Sequence, residues 1–256
     1  KDMLERAVIP DLKRRSGDPS VIVSRTLRTW GESESGLNER LDPVIHRLEE
    51  AGNPTLAFLA SGWEGIKVRL TARAPDRAGA LALIEPYEAD IRAELGSQVF
   101  GTDDDTMESV VLDLMRSRGL TLGLAESVTG GLVGARITGI AGASDVLRGS
   151  IVSYASRVKF EVLGVPEGPV VNESTAVAMA VGARRVLGSD VGLALTGVAG
   201  PSEQDGMPVG TLCIGLVMPG AEPISTTVRL PGQRQQMREF SVISALDLLR
   251  RTLLSQ

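Results

Sequence analysis

Two periodicities alternate along the first hundred residues. In PSVIVSRTLRTW (19–30) apolar and polar positions alternate, which predicts a half-buried strand. Leu37, Leu41, Val44, Ile45 and Leu48 recur at helical spacing up to Gly52, predicting a helix over 37–51. Residues 55–60 and 66–74 read as a hairpin around Gly62-Trp63-Glu64-Gly65. Asp76 can cap a helix running to Leu95, with a kink expected at Pro86, and a short strand follows near Val99. The order β-α-β-β-α-β is a split βαβ pattern, a small α+β unit of short strands covered by two helices.

GTDDDT (101–106) interrupts this pattern, and beyond it strands and helices alternate. Helices are expected over 106–118, 129–140, 172–187 and 234–255, and strands over 120–125, 150–154, 191–196, 209–217 and 224–230. Such alternation predicts a three-layer α/β/α domain. The chain is therefore divided into residues 1–101 and 102–256.

Composition narrows the chemistry. There is one histidine (His46), one cysteine (Cys213) and four lysines (Lys1, Lys13, Lys67, Lys159) against 23 arginines. Zinc sites built from several His or Cys ligands are excluded, and any histidine triad would have to use His46. A lone cysteine suits a reducing cytoplasm, the expected location. Net charge is −5, divided as −4 over residues 1–104 and −1 over the remainder, against the basic surplus that nucleic-acid binding needs. No apolar run approaches the ~20 residues of a membrane-spanning helix. Nucleic-acid and membrane partners are accordingly not expected.

Candidate chemistry gathers in turns after strands of the second region. Ala125-Glu126-Ser127-Val128-Thr129-Gly130-Gly131 leads from a strand into a helix. Free N–H groups there can hold an anion or stabilise an oxyanion, or the hydroxyls simply cap the helix. Ser144 follows Gly142-Ala143 and can likewise cap a short turn. Tyr154 precedes Lys159 by five residues, and Lys159 is the only lysine in the last 189. Lysine, unlike arginine, loses its proton when desolvated, so Lys159 is either a general base or a surface cation. Thr196-Gly197-Val198-Ala199-Gly200-Pro201 ends another apolar strand, with 201–208 as a flap, and Arg234 opens the last helix.

In this order the motifs AESVTGG, GAS, Tyr-x4-Lys, TGVAGP, Pro208-Val209-Gly210 and PGQR (231–234) resemble the C-terminal domain of the CinA family, the nicotinamide-mononucleotide deamidases (PncC type), over about residues 105–250. The resemblance implies hydrolysis of the nicotinamide mononucleotide carboxamide to nicotinic acid mononucleotide and ammonia in NAD salvage. It implies Ser144 as nucleophile, Lys159 as general base and Tyr154 as proton shuttle. Ser127 and Thr196 would line the oxyanion hole, and Thr129, Gly130, Gly131, Gly197, Gly200 and Arg234 would meet the nucleotide substrate. No metal and no cofactor are implied, and a homodimer is. Ala143 stands where the family often has the first serine of Gly-Ser-Ser, leaving Ser144 as the second. Residues 20–100 resemble the KH-like domain that precedes this domain in full-length CinA, and residues 1–18 are expected to be the remnant of a further upstream domain. The competing readings are a non-catalytic interaction or scaffolding protein and, with an upstream domain, an ADP-ribose pyrophosphatase.

Overall fold

The computed structural model describes residues 2–17, 20–60 and 62–255 and divides the chain into two units, residues 1–104 and 105–256. Lys1, and Pro19 at which the first strand was expected to open, lie outside the described residues. No helix among the described residues is long and apolar enough to cross a membrane.

In the first unit, a π-helical turn at Leu4–Val8 runs into α1 (Ile9–Ser16). There follow β1 (Val21–Thr29), α2 (Glu34–Ala51), β2 (Thr55–Ala60), β3 (Ile66–Ala74), α3 (Arg77–Leu95) and β4 (Val99–Thr102). The sheet order is β2-β3-β1-β4, all pairings antiparallel. α2 starts three residues before its first core position because Ser33 Oγ accepts from Gly36 N–H at 3.0 Å. Asp76 caps α3 in the same way, and Pro86 sits inside an unbroken α3. Leu27, Leu37, Leu41, Leu70, Ile84 and Ile91 form the core between sheet and helices. The Gly62–Glu64 stretch is one 3-10 turn, and its acid, Glu64, pairs with Arg28 at 3.1 Å and Lys67 at 3.0 Å.

The second unit contains α4 (Met107–Ser117), β5 (Leu122–Glu126), α5 (Leu132–Thr138), β6 (Leu147–Val152), α6 (Ser156–Glu161), α7 (Glu173–Leu187), β7 (Val191–Gly197), β8 (Thr211–Val217), β9 (Ile224–Arg229) and α8 (Arg234–Leu254). Its sheet has the order β6-β5-β7-β8-β9; β5 runs parallel to β6 and β7, while β8 and β9 are antiparallel additions. α7 packs on one face, and α4, α5 and α8 on the other, giving the expected three layers. β5, β7 and β8 are buried along almost their whole length, which is why they read as continuous apolar runs. α7 lies so close that a Cβ on Gly192 would come within 2.1 Å of Ala180 O, and one on Gly215 within 2.2 Å of Ala176 O.

The second unit departs from the sequence reading most clearly around β6 and the short helices on either side of it. β6 begins at Leu147, not 150. α5 spans only Leu132–Thr138, because residues 127–131 are a turn. α6 has no counterpart in the reading, since six residues are too few to show a period. The register Glu126↔Val152 and Glu126↔Leu195 brings the C-terminal ends of β5, β6 and β7 to one edge of the sheet, the edge where α/β folds bind ligands.

Candidate active site

At the end of β5 the chain turns sharply over a buried carboxylate. Glu126 is fully buried, and it collects four donors. Oε2 accepts from Thr129 Oγ1 at 2.7 Å and Val133 N–H at 3.0 Å; Oε1 accepts from Gly134 N–H at 2.9 Å and Ser150 Oγ at 2.8 Å. The first amides of α5, which have no partner within their helix, thus meet a negative charge. Gly130 and Gly131, with φ of +60° and +94°, carry the reversal that other residues resist. Ser127 N–H donates to Leu195 O at 3.0 Å, fastening the turn to β7, and Gly130 N–H closes it on Ser127 O at 3.0 Å. The N–H of Val128 has no acceptor among the described residues.

Lys159, on α6, is 1% exposed. Its Nζ donates to Ser153 O at 2.6 Å, and Ser153 N–H in turn donates to Glu126 O at 2.8 Å, so the lysine and the β5 turn share one framework. Burial pushes the amine below the ordinary lysine range, and the negative charge of Asp205 partly offsets that. Asp205 is fixed where it stands because Oδ2 accepts Val170 N–H at 2.6 Å and Val171 N–H at 3.0 Å. Those two bonds pin the 201–208 loop to the segment ahead of α7.

The opposite wall is the end of β7 and its loop. Thr196 Oγ1 donates to Val170 O at 2.7 Å. Arg234 bridges two parts of the rim, Nη1 to Gly200 O at 2.7 Å and Nη2 to Tyr154 Oη at 2.8 Å. Since the phenol oxygen accepts from Arg234, its own proton is left to donate elsewhere. Together these parts enclose a cavity of about 330 Å³, lined by Ser127, Val128, Tyr154, Ser156, Lys159, Thr196 and Gly197 and rimmed by Gly200, Glu203 and Arg234.

Of the residues singled out in the sequence, Ser127, Tyr154, Lys159, Thr196, Gly197, Gly200 and Arg234 meet around this cavity. Ser144 does not. It is exposed on a 3-10 turn (Ala143–Asp145) ahead of β6, at the opposite edge of the sheet, where Asp145 faces Arg116 at 3.8 Å. The six residues of β6 separate it from the cavity, a distance of roughly 17–20 Å at the rise of a strand. Within one chain Ser144 is thus out of reach of Lys159, and the structure does not bring the expected nucleophile to the cavity. Thr129 does not line the cavity either: it is fully buried, and its hydroxyl is spent on Glu126 rather than offered to a ligand. Gly130 and Gly131 shape the turn and do not line the cavity. Thr196 lines the wall, but its hydroxyl proton is committed to Val170 O.

The sequence reading assigns no role to Ser156, Asp205 or Glu126, although all three lie in the turns and loop it singles out. Ser156 and Lys159 stand three residues apart, a spacing that puts both on one helix face once α6 is known. Asp205 and Glu126 act through backbone amides of distant or turn segments, which leaves no mark in a periodicity.

The family model described as CinA C-terminal domain matches residues 104–253, and that of the damage-inducible protein CinA KH domain matches 24–101. A CinA-like protein of Frankia casuarinae is 51% identical over 98% of this chain and 59% of its own length. One from Gloeobacter violaceus is 42% identical over 99% of this chain and 60% of its own. The chain therefore spans about three-fifths of the length of these relatives. A crystal structure of a competence or damage-inducible protein from Enterobacter asburiae superposes with a TM-score of 0.56 at 27% identity, covering 57% of this chain and 96% of that one.

Proposed function

The chain belongs to the CinA family, and from that premise we propose that residues 105–256 hydrolyse a carboxamide, that of nicotinamide mononucleotide, to nicotinic acid mononucleotide and ammonia. One observation carries the reading: a lysine almost excluded from solvent, its pKa lowered by burial, opens onto a cavity beside serine hydroxyls. A surface cation has no reason to be there, whereas a general base does.

In the proposed reaction neutral Lys159 takes the proton from Ser127 Oγ as that oxygen attacks the carboxamide carbon. The oxyanion develops against the unpartnered Val128 amide on the same turn. Protonated Lys159 then gives its proton to the departing nitrogen, which leaves as ammonia, and the acyl group stays on Ser127 as an ester. Water, deprotonated by Lys159, attacks that ester; the carboxylate leaves and Ser127 Oγ recovers its proton. Arg234, held by Gly200 and Tyr154, offers its remaining N–H groups at the rim to the phosphate.

The test is product formation. The chain should release ammonia and nicotinic acid mononucleotide in equal amounts from nicotinamide mononucleotide, and Lys159→Met should fall by about 10³-fold or more. Undiminished turnover by Lys159→Met would overturn the mechanism, and no product from the parent chain would overturn the substrate.

A further inference from the structure

We propose that Arg238 is a positioning residue for this reaction, holding the Ser127 turn in the shape that aims its amides at the substrate. Resting on the amidohydrolase reading above, this assigns a role to a side chain that touches neither cavity nor substrate.

Arg238 lies one turn after Arg234 on α8, on the same face. Arg234 reaches the cavity rim; Arg238, half-buried, passes to the other side of the β5 turn. Its Nε donates to Val128 O at 3.2 Å and its Nη2 to Thr129 O at 2.7 Å. Arg238 has no carboxylate partner among the described residues, so its charge faces two successive peptide carbonyls alone. The fit is close, since a Cβ on Gly130 would stand 3.4 Å from Nη2.

A guanidinium is a rigid planar fork, suited to two acceptors held at fixed separation. The peptides whose carbonyls Arg238 holds carry the N–H groups of Thr129 and Gly130, so the cation fixes the two peptide planes that directly follow the Val128 amide, and the Gly130 N–H among them closes the turn on Ser127 O at 3.0 Å. The turn is then gripped from both sides. Glu126 gathers its donors, Thr129 Oγ1 and the first amides of α5, while Arg238 gathers its acceptors. Between the two grips stand Ser127 and the Val128 amide, the proposed nucleophile and oxyanion donor. A shift of this turn would cost transition-state stabilisation rather than substrate affinity, because the rim residues Arg234 and Tyr154 belong to other segments.

The experiment compares the full chain with Arg238→Met, which keeps an apolar stem, and Arg238→Lys, which keeps the charge but not the fork. Nicotinamide mononucleotide is the substrate, and kcat and KM are read separately by ammonia release. For Arg238→Met, kcat should fall about 100-fold with KM changed less than about threefold. The acid limb of the pH–kcat profile should keep its position, since Lys159 is untouched. Arg238→Lys should recover about a tenth of wild-type kcat, one hydrogen bond in place of two. Wild-type kcat in Arg238→Met, or a rise in KM with kcat preserved, would overturn the assignment. Should Arg238→Met fail to fold, Arg238→Lys decides: wild-type kcat in a folded Lys variant overturns it, and a lowered kcat at constant KM supports it. No turnover by the parent chain would instead count against the substrate reading.

Discussion

At the scale of single residues the site depends on one amine. In the proposed mechanism neutral Lys159 is the active form, so activity should rise with pH as the amine loses its proton. Burial lowers its pKa, so that rise should fall below the ordinary lysine value of 10.5. Asp205 acts in the opposite sense, raising the pKa through its charge. Asp205→Asn should therefore move the acid limb of the kcat/KM profile to lower pH; a move to higher pH would contradict the electrostatic role. The same burial bears on stability. A folded-state pKa below the unfolded one means that protonated Lys159 costs folding energy, a cost that fades as pH rises toward 10.5. Lys159→Met should accordingly be inactive yet more stable near neutral pH, by about 1 kcal/mol, with the advantage shrinking in alkaline solution. Thermal melts over a pH series check this. Lys159 was legible in the sequence because lysine is so scarce. Motif order along a chain does not say at which end of a strand a turn lies, and the six residues of β6 put Ser144 at the end away from the cavity. Thr129 misled because a hydroxyl in a motif looks available until a buried carboxylate three residues earlier takes it.

At the scale of elements, the short helix α5 and the turn before it owe their shape to Glu126. Glu126→Gln would turn an NH₂ group toward donors, at least one of them a backbone amide that cannot rotate away. The variant should lose about 2 kcal/mol of stability and activity with it; an unchanged urea midpoint would contradict this account of the turn. The contact between α7 and the sheet is as exacting. Gly215→Ala would set a methyl group against Ala176 O at 2.2 Å, backbone against backbone, and should destabilise the unit by about 3 kcal/mol. Periodicity revealed α2, α7, α8 and β1 because each buries one stripe or face over many residues, and β5 and β7 showed as unbroken apolar runs because both their faces are buried. It could not reveal α6, where six residues carry one buried position that is itself a lysine, nor the true start of β6, whose mostly half-buried positions show no contrast between faces.

At the scale of the molecule, two units with separate sheets and cores follow one another along the chain. The acidic run at 101–106 signalled the change because no buried stripe passes through it. All the residues of the candidate site lie in the second unit, and the Enterobacter asburiae protein, matched over 96% of its length, covers only 57% of this chain. Residues 105–256 expressed alone should therefore fold and keep the full chain's kcat within about twofold, a negligible free-energy difference; circular dichroism and ammonia release decide, and an inactive but folded fragment would assign the first unit a part in the reaction.

The most direct test of the central claim is the rate of ammonia release from nicotinamide mononucleotide by Ser127→Ala and Ser144→Ala side by side. A cavity in which Ser127 attacks and Lys159 serves as base predicts loss of about 10³-fold or more in Ser127→Ala and near wild-type release in Ser144→Ala. Full activity in Ser127→Ala with loss in Ser144→Ala would contradict it, and would return the nucleophile to Ser144, supplied from a second chain.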